Sequence, residues 1–195
     1  MIALPVLAVV VSGCSQSLHV GSAATVGSAR ISEETVREQV AQSVALTGRA
    51  PSGALARAVL GNLINQRLVE DLATRFKVVA SGAAVRAEFA SLESQAGSLA
   101  SLRSEAAGAG IPPSQLDSAV RDIVIEADLE RLFGTQAKLS TTQEQGALSA
   151  ALTAEDKAAH VDVSPRFGHF VDGQVVADPS AALASPAPRS ASTGG

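Results

Sequence analysis

Between Pro51 and Ser81 the chain places Leu60, Ile64, Leu68, Leu72 and Phe76 four residues apart, with Val59, Leu63 and Val69 beside them. A step of four returns side chains to one face of an α-helix, so the spacing predicts a long helix, starting around Pro51-Ser52, with one broad apolar stripe to bury. Its other face carries Arg57, Asn62, Asn65, Gln66, Arg67 and Glu70. The rest of the chain must supply what covers that stripe.

Four further helices are expected. Ser32 caps the first, with Glu33 and Glu34 in the first turn, where acidic groups suit the helix dipole, and Val36, Val40 and Val44 in a row before Gly48. After the long helix, Ser81 caps a third in which Val85, Phe89, Leu92, Ala96, Leu99 and Leu102 hold helical spacing down to a glycine-rich stop. The fourth opens at "PPSQLD", where Ser114 and Asp117 have the spacing of a capping box; Leu116, Val120, Ile123, Val124, Ala127 and Leu132 give its buried face, and Gly134 is expected to end it. Ser140 and Gln143 repeat the cap spacing for a fifth, interrupted by Gly146. Two segments change period. Ala24, Val26 and Ile31 suit a short strand with a turn at Gly27-Ser28, and Val161, Val163, Phe167 and Phe170 alternate around a bend at Pro165.

Composition agrees with a helical core. Hydrophobic residues make up 46% of the 195 residues but aromatic ones only 3%, with no Trp or Tyr. Sheet-rich domains draw more heavily on aromatic and β-branched residues. The expected fold is mainly α, a bundle of about five helices closed by a short two-stranded β pairing of the N- and C-terminal segments. A net charge of −4 with mixed signs gives no basic footprint, so nucleic acid is not an expected partner. Beyond Val175, "VADPSAALASPAPRSASTGG" lacks the apolar groups a core needs, and residues 176–195 are expected to be a disordered tail.

The chain begins "MIALPVLAVVVSGC", and Cys14 is its one cysteine, which rules out an internal disulfide. The apolar run is shorter than the about 20 residues a bilayer span needs and matches the about 7–15 residue core of an export signal. Val11-Ser12-Gly13-Cys14 resembles the bacterial lipobox, in which the cysteine thiol takes a lipid and the chain is cut before it. On that resemblance residues 1–13 are a signal peptide, Cys14 is the lipidation site and first mature residue, and 14–22 form a tether to a domain over 23–175. The expected location is the extracytoplasmic face of a cell membrane, with the bilayer as partner through acylated Cys14. A signal of this kind opens with a basic segment, which is missing here, so a start upstream of Met1 is expected.

The element order can then be compared with a known family. A short strand, the cap and helix "ISEETVREQV", the long helix "AVLGNLINQRLVEDLATRFKVVAS", further helices and the closing segment "VDVSPRFGHF" resemble the N-terminal chaperone domain of SurA-like and PrsA-like exported folding factors over roughly residues 23–172. The polar pair Asn65-Gln66 follows Leu63-Ile64 as in that family. The phrase from Val161 to Phe170 is similar to a Val-x-Val-Asn-Pro-Arg-Tyr-Gly segment of actinobacterial lipoproteins, with Ser164 and Phe167 in place of Asn and Tyr. The resemblance implies that the strand near Val26–Ile31 pairs with that near Val161–Phe170. It also implies passive, ATP-independent holding of unfolded exported polypeptides, with no cofactor. Many relatives carry a parvulin prolyl isomerase domain after these helices. Only 26 residues, Thr135 to His160, separate the fourth helix from the closing strand, too few for such a domain, so no isomerase activity is expected. The alternatives from other classes are a peptidyl-prolyl isomerase and a structural or adaptor lipoprotein.

Other chemistry is sparse. His160, Asp162 and His169 could converge on one strand edge, but a metal needs three or four ligands in fixed geometry, and solvated polar groups explain them better. There is no Gly-x-Ser-x-Gly elbow, and "GSAATVGSA" lacks the residues of a phosphate loop. Glu70-Asp71 and Glu126-Asp128-Glu130 lie near Arg67, Arg75 and Arg131 and read as solvated ion-pair faces. Arg166 is expected to pair with a helical carboxylate while Phe167 fills the core. No catalytic and no metal residue is assigned. A client groove is expected among the alanine-rich helices, but its residues are not legible.

Overall fold

The computed structural model describes residues 20–137 and 140–178. Cys14, the signal segment, most of the tether and residues 179–195 lie outside them.

Strand β1 (Ser22–Val26) turns at Gly27-Ser28 into β2 (Ala29–Ser32), with Ala24 opposite Ile31 and Val26 opposite Ala29. Gly27 holds φ +57, where a side chain would be strained, and its N–H donates to the carbonyl of Ala159. On the other edge of β1 lies β3 (Asp162–Val163), antiparallel, with Ala24 opposite Val163 and Thr25 opposite Asp162. The two ends of the domain therefore meet, as expected, although the residues after Val26 form a hairpin with β1 instead of reaching β3. A second hairpin follows, β4 (His169–Val171) with β5 (Gln174–Val176). Its turn, Asp172-Gly173, has φ +49 and +77, the twist that suits a tight hairpin. Strand β1 begins one residue inside the expected tether, and Val176 belongs to β5 instead of to the tail.

Six α-helices lie among the described residues. Helix α1 (Glu33–Thr47) is capped by Ser32, whose hydroxyl accepts from Thr35 N–H, and ends at Gly48 in the left-handed conformation. Its buried residues are Val36, Gln39 and Ser43, and Val40 and Val44 are only half-buried. The apolar row i, i+4 does not set the buried face of this helix, which Gln39 and the small Ser43 share with Val36. Helix α2 (Gly53–Phe76) is the axis of the molecule. Leu60, Ile64 and Leu68 pack with the sheet and Val36, while Val69, Leu72 and Ala73 pack with the last two helices. Phe76, at the end of the stripe, is 37% exposed and meets Phe133 edge to face at 5.0 Å between ring centres.

The expected third helix is two. Helix α3 (Gly82–Ala96) stops at Gly97, φ +82, and Ser98 caps α4 (Leu99–Gly108) through Ser101 N–H. A glycine that can enter the left-handed region followed by a capping serine breaks the backbone even though the apolar spacing runs through it. Helix α3 has no fully buried residue; Val85, Phe89 and Leu92 are partly covered beside Leu102, Leu116 and Val120. The fourth predicted helix also starts differently. Pro113–Gln115 form a 3₁₀ turn with no side-chain cap, and α5 (Leu116–Ala137) follows. Gly134 does not end it. The glycine is buried against Glu144 of α6 (Thr141–Ala159), and a Cβ there would collide with that side chain. It is a close-approach glycine. Gln143 accepts from both the backbone N–H and the hydroxyl of Ser140, each at 2.9 Å, as its spacing predicted.

Candidate functional site

Helix α2 buries its stripe and leaves the adjoining face with Asn62, Asn65 and Gln66 toward a groove of about 360 Å³, within the ordinary range of ligand clefts. The opposite wall is α5, with Ala119, Asp122, Ile123 and Glu126 at helical spacing, and Gln115 stands before it. The segment Gly110-Ile111-Pro112 floors one end, Leu152 of α6 and Gly173 of the hairpin turn close others, and Gln39 of α1 reaches in. Leu63, Val69, Ile111, Pro112, Ile123 and Leu152 make the lining mainly apolar. Ile123 is 41% exposed, so this surface faces water.

Close backbone approaches hold the walls. Gly110 has φ +85, and a Cβ on it would lie 2.8–2.9 Å from the Ala58–Val59 backbone, so no other residue lets this segment lie against α2 unmoved. Asn62 Nδ2 donates to the carbonyl of Ala109 at 3.0 Å, and Asn65 Nδ2 to that of Gly173 at 2.7 Å. Each asparagine thus ties α2 to a loop, and its own carbonyl oxygen has no hydrogen-bond partner among the described residues. Gln39, Gln66 and Gln115 make no hydrogen bond through their side chains among those residues.

Asp122 and Glu126 stand one turn apart on α5, half-buried, with neither a hydrogen bond nor an ion pair among the described residues. Burial pushes the Asp122 carboxyl up to about 7; the carboxylates of Glu70 and Glu126 add to the shift, and Arg121 opposes it. Glu126 is raised too, by burial first and then by Glu130. The sequence reading of Glu126 as part of a solvated ion-pair face is therefore corrected. Its neighbour Asp128 does pair, with Arg131 at 2.6 Å, and Arg67 pairs with Glu70 at 2.9 Å. Arg75 turns from Glu70-Asp71 to α6, where it reaches both oxygens of Glu155, a carboxylate 4% exposed, at 2.9 and 2.7 Å.

Arg166 pairs with Glu33 of α1 and lies over Phe167, its guanidinium carbon 5.2 Å from the ring centre, and Phe167 is in the core. Both expectations for this phrase hold. His160 ends α6, Asp162 lies in β3 and His169 in β4, all exposed. Among the described residues no group of three His, Cys, Asp or Glu is placed to hold a metal, and no helix is long and apolar enough to cross a membrane. Cys14, the one site residue assigned from sequence, lies outside the described residues.

Compared with protein-family models, curated proteins and solved structures, the chain finds no match. The groove's own chemistry remains as the guide. Its lining contains no histidine and no nucleophilic hydroxyl or thiol. Amides, which both donate and accept, edge an apolar floor, a combination that can meet a peptide backbone and an apolar side chain at once.

The sequence did hold part of this site. Asn62, Asn65 and Gln66 were legible as the polar face of α2, and Asn65-Gln66 as the pair after Leu-Ile. Asp122 was missed, although it and Glu126 repeat four residues apart on the same helix face, the signal that would have found them.

Proposed function

We propose that this domain holds apolar segments of unfolded exported polypeptides, passively and without ATP, and that it does so from the outer face of a membrane to which acylated Cys14 anchors it. The groove between α2 and α5 carries the reading: it offers an open apolar floor edged by the amides of Gln39, Gln66 and Gln115, which have no hydrogen-bond partner among the described residues. Amides bind any extended backbone, and a floor of Leu, Ile and Val gives little side-chain discrimination, so binding is weak and tolerant of sequence. The resemblance to SurA-like chaperone domains and the apolar run before Cys14 support the same reading. A domain outside the ATP supply requires such a passive mode.

The test is aggregation of a heat-unfolded client followed by light scattering. The full chain suppresses it, and Ile123→Ser, which removes apolar footing from an exposed position, weakens suppression several-fold without lowering thermal stability. Unchanged aggregation in the presence of the chain refutes the holding function. A pull-down that finds one stoichiometric partner and no preference for unfolded chains favours an adaptor instead, and turnover in a prolyl-peptide assay an isomerase. Membrane fractionation tests the anchor: Cys14→Ser releases the chain from the membrane fraction, and a chain that stays bound refutes it.

A further inference from the structure

We propose that the groove selects segments in which a lysine or arginine stands among apolar residues, with Asp122 and Glu126 receiving the cation. This rests on the peptide-holding reading above and adds a charge preference to it. Two carboxyls one turn apart on α5 face the groove, and among the described residues no cation pairs with either. The charged groups around them are themselves mostly acidic: Glu70 from α2 and Glu130 from α5 act in the same direction, and Arg121 alone is opposed. Arg67, the nearby base on α2, is spent on Glu70.

A second, independent feature points to a guest. Gln39 is 5% exposed, lines the same groove from α1, and has no hydrogen-bond partner among the described residues. Its amide is not sealed from water and stands open at the groove to the backbone of a guest. A peptide entering the groove supplies both missing partners, its backbone to the Gln39 amide and its ammonium or guanidinium to the carboxyls. Ionised groups make the stronger hydrogen bonds. Burial raises both carboxyls, and an entering cation draws both toward ionisation.

The measurement is fluorescence anisotropy with the full chain at low salt and neutral pH, using capped peptides that alternate leucine and serine and differ in one central residue, lysine, glutamine or glutamate. The lysine peptide binds about tenfold tighter than the glutamine peptide, the glutamate peptide weakest, and the advantage shrinks as salt rises. In the double variant Asp122→Asn, Glu126→Gln the lysine-to-glutamine ratio falls to about one, the pair no longer carrying charge. Equal binding of lysine and glutamine peptides by the native chain overturns the charge preference and leaves the holding function standing. Failure of all three to bind overturns both. A lysine advantage that survives in the double variant overturns the assignment to these two carboxyls. Self-association that the peptides reverse, seen by sedimentation, gives the groove to a second copy of the chain and overturns the choice of occupant.

Discussion

Replacing Asp122 by asparagine changes the stability of the protein in a pH-dependent way whose sign follows from its setting. The carboxyl titrates near 7 in the folded protein, against 3.8 for an ordinary aspartate, because burial disfavours its charged form. Below about pH 4 the group is protonated whether or not the chain is folded, and it costs nothing. As pH rises from there toward 7 the unfolded chain releases its proton first, so stability falls, and above 7 the full cost is present. At 1.36 kcal/mol per pH unit the ceiling is about 4 kcal/mol. The carboxyl keeps contact with water through the open groove, which screens it, and about 1–2 kcal/mol is expected. Asp122→Asn therefore stabilises the protein by about 1–2 kcal/mol near pH 8 and by close to nothing near pH 4. Urea unfolding of both proteins by circular dichroism at the two pH values measures the difference. An equal gain at both, or a loss near pH 8, refutes the placement of this carboxyl in an apolar, cation-free wall.

Three other substitutions test the packing. Leu129 is fully buried where α2, α5 and α6 meet, so Leu129→Ala costs about 2–5 kcal/mol in urea unfolding. Gly110→Ala, forced into a left-handed φ and against the Ala58–Val59 backbone, lowers stability by about 2 kcal/mol or more and pushes the groove's floor outward, which a drop in peptide affinity registers. Arg75→Gln strands the buried Glu155; because Arg75 is itself half exposed the cost is about 2 kcal/mol, which urea unfolding reads.

Elements with a local cause could be read before any packing was known. Ser32, Ser52 and Ser81 each cap the helix that their position announced, through the N–H groups of Thr35, Leu55 and Ala84. Errors arose where a residue type has two uses. Gly97 and Gly134 look alike in sequence, yet the first breaks a helix and the second lies inside one against Glu144. Ser114 had the spacing of a cap, but the two prolines before it wound the chain into a 3₁₀ turn instead. Glu126 and Asp128, two residues apart, went to opposite fates, one into the groove wall and one into a surface ion pair.

The sequence by itself determined most of the helices, several of their ends, the long central stripe and the mainly α class, because caps, turns and period act over a few residues. It also placed the N-terminal strand beside the segment at Val163, though through resemblance and alternation. The groove belongs to the tertiary structure. Whether the amides of α2 face water, a loop carbonyl or an empty channel depends on how far α5 stands from α2, and that distance is fixed by Gly110 against the Ala58–Val59 backbone and by Asn65 on Gly173, contacts between residues 47 to 108 positions apart along the chain for the two asparagine ties. No local pattern encodes such a separation; it emerges when the core closes.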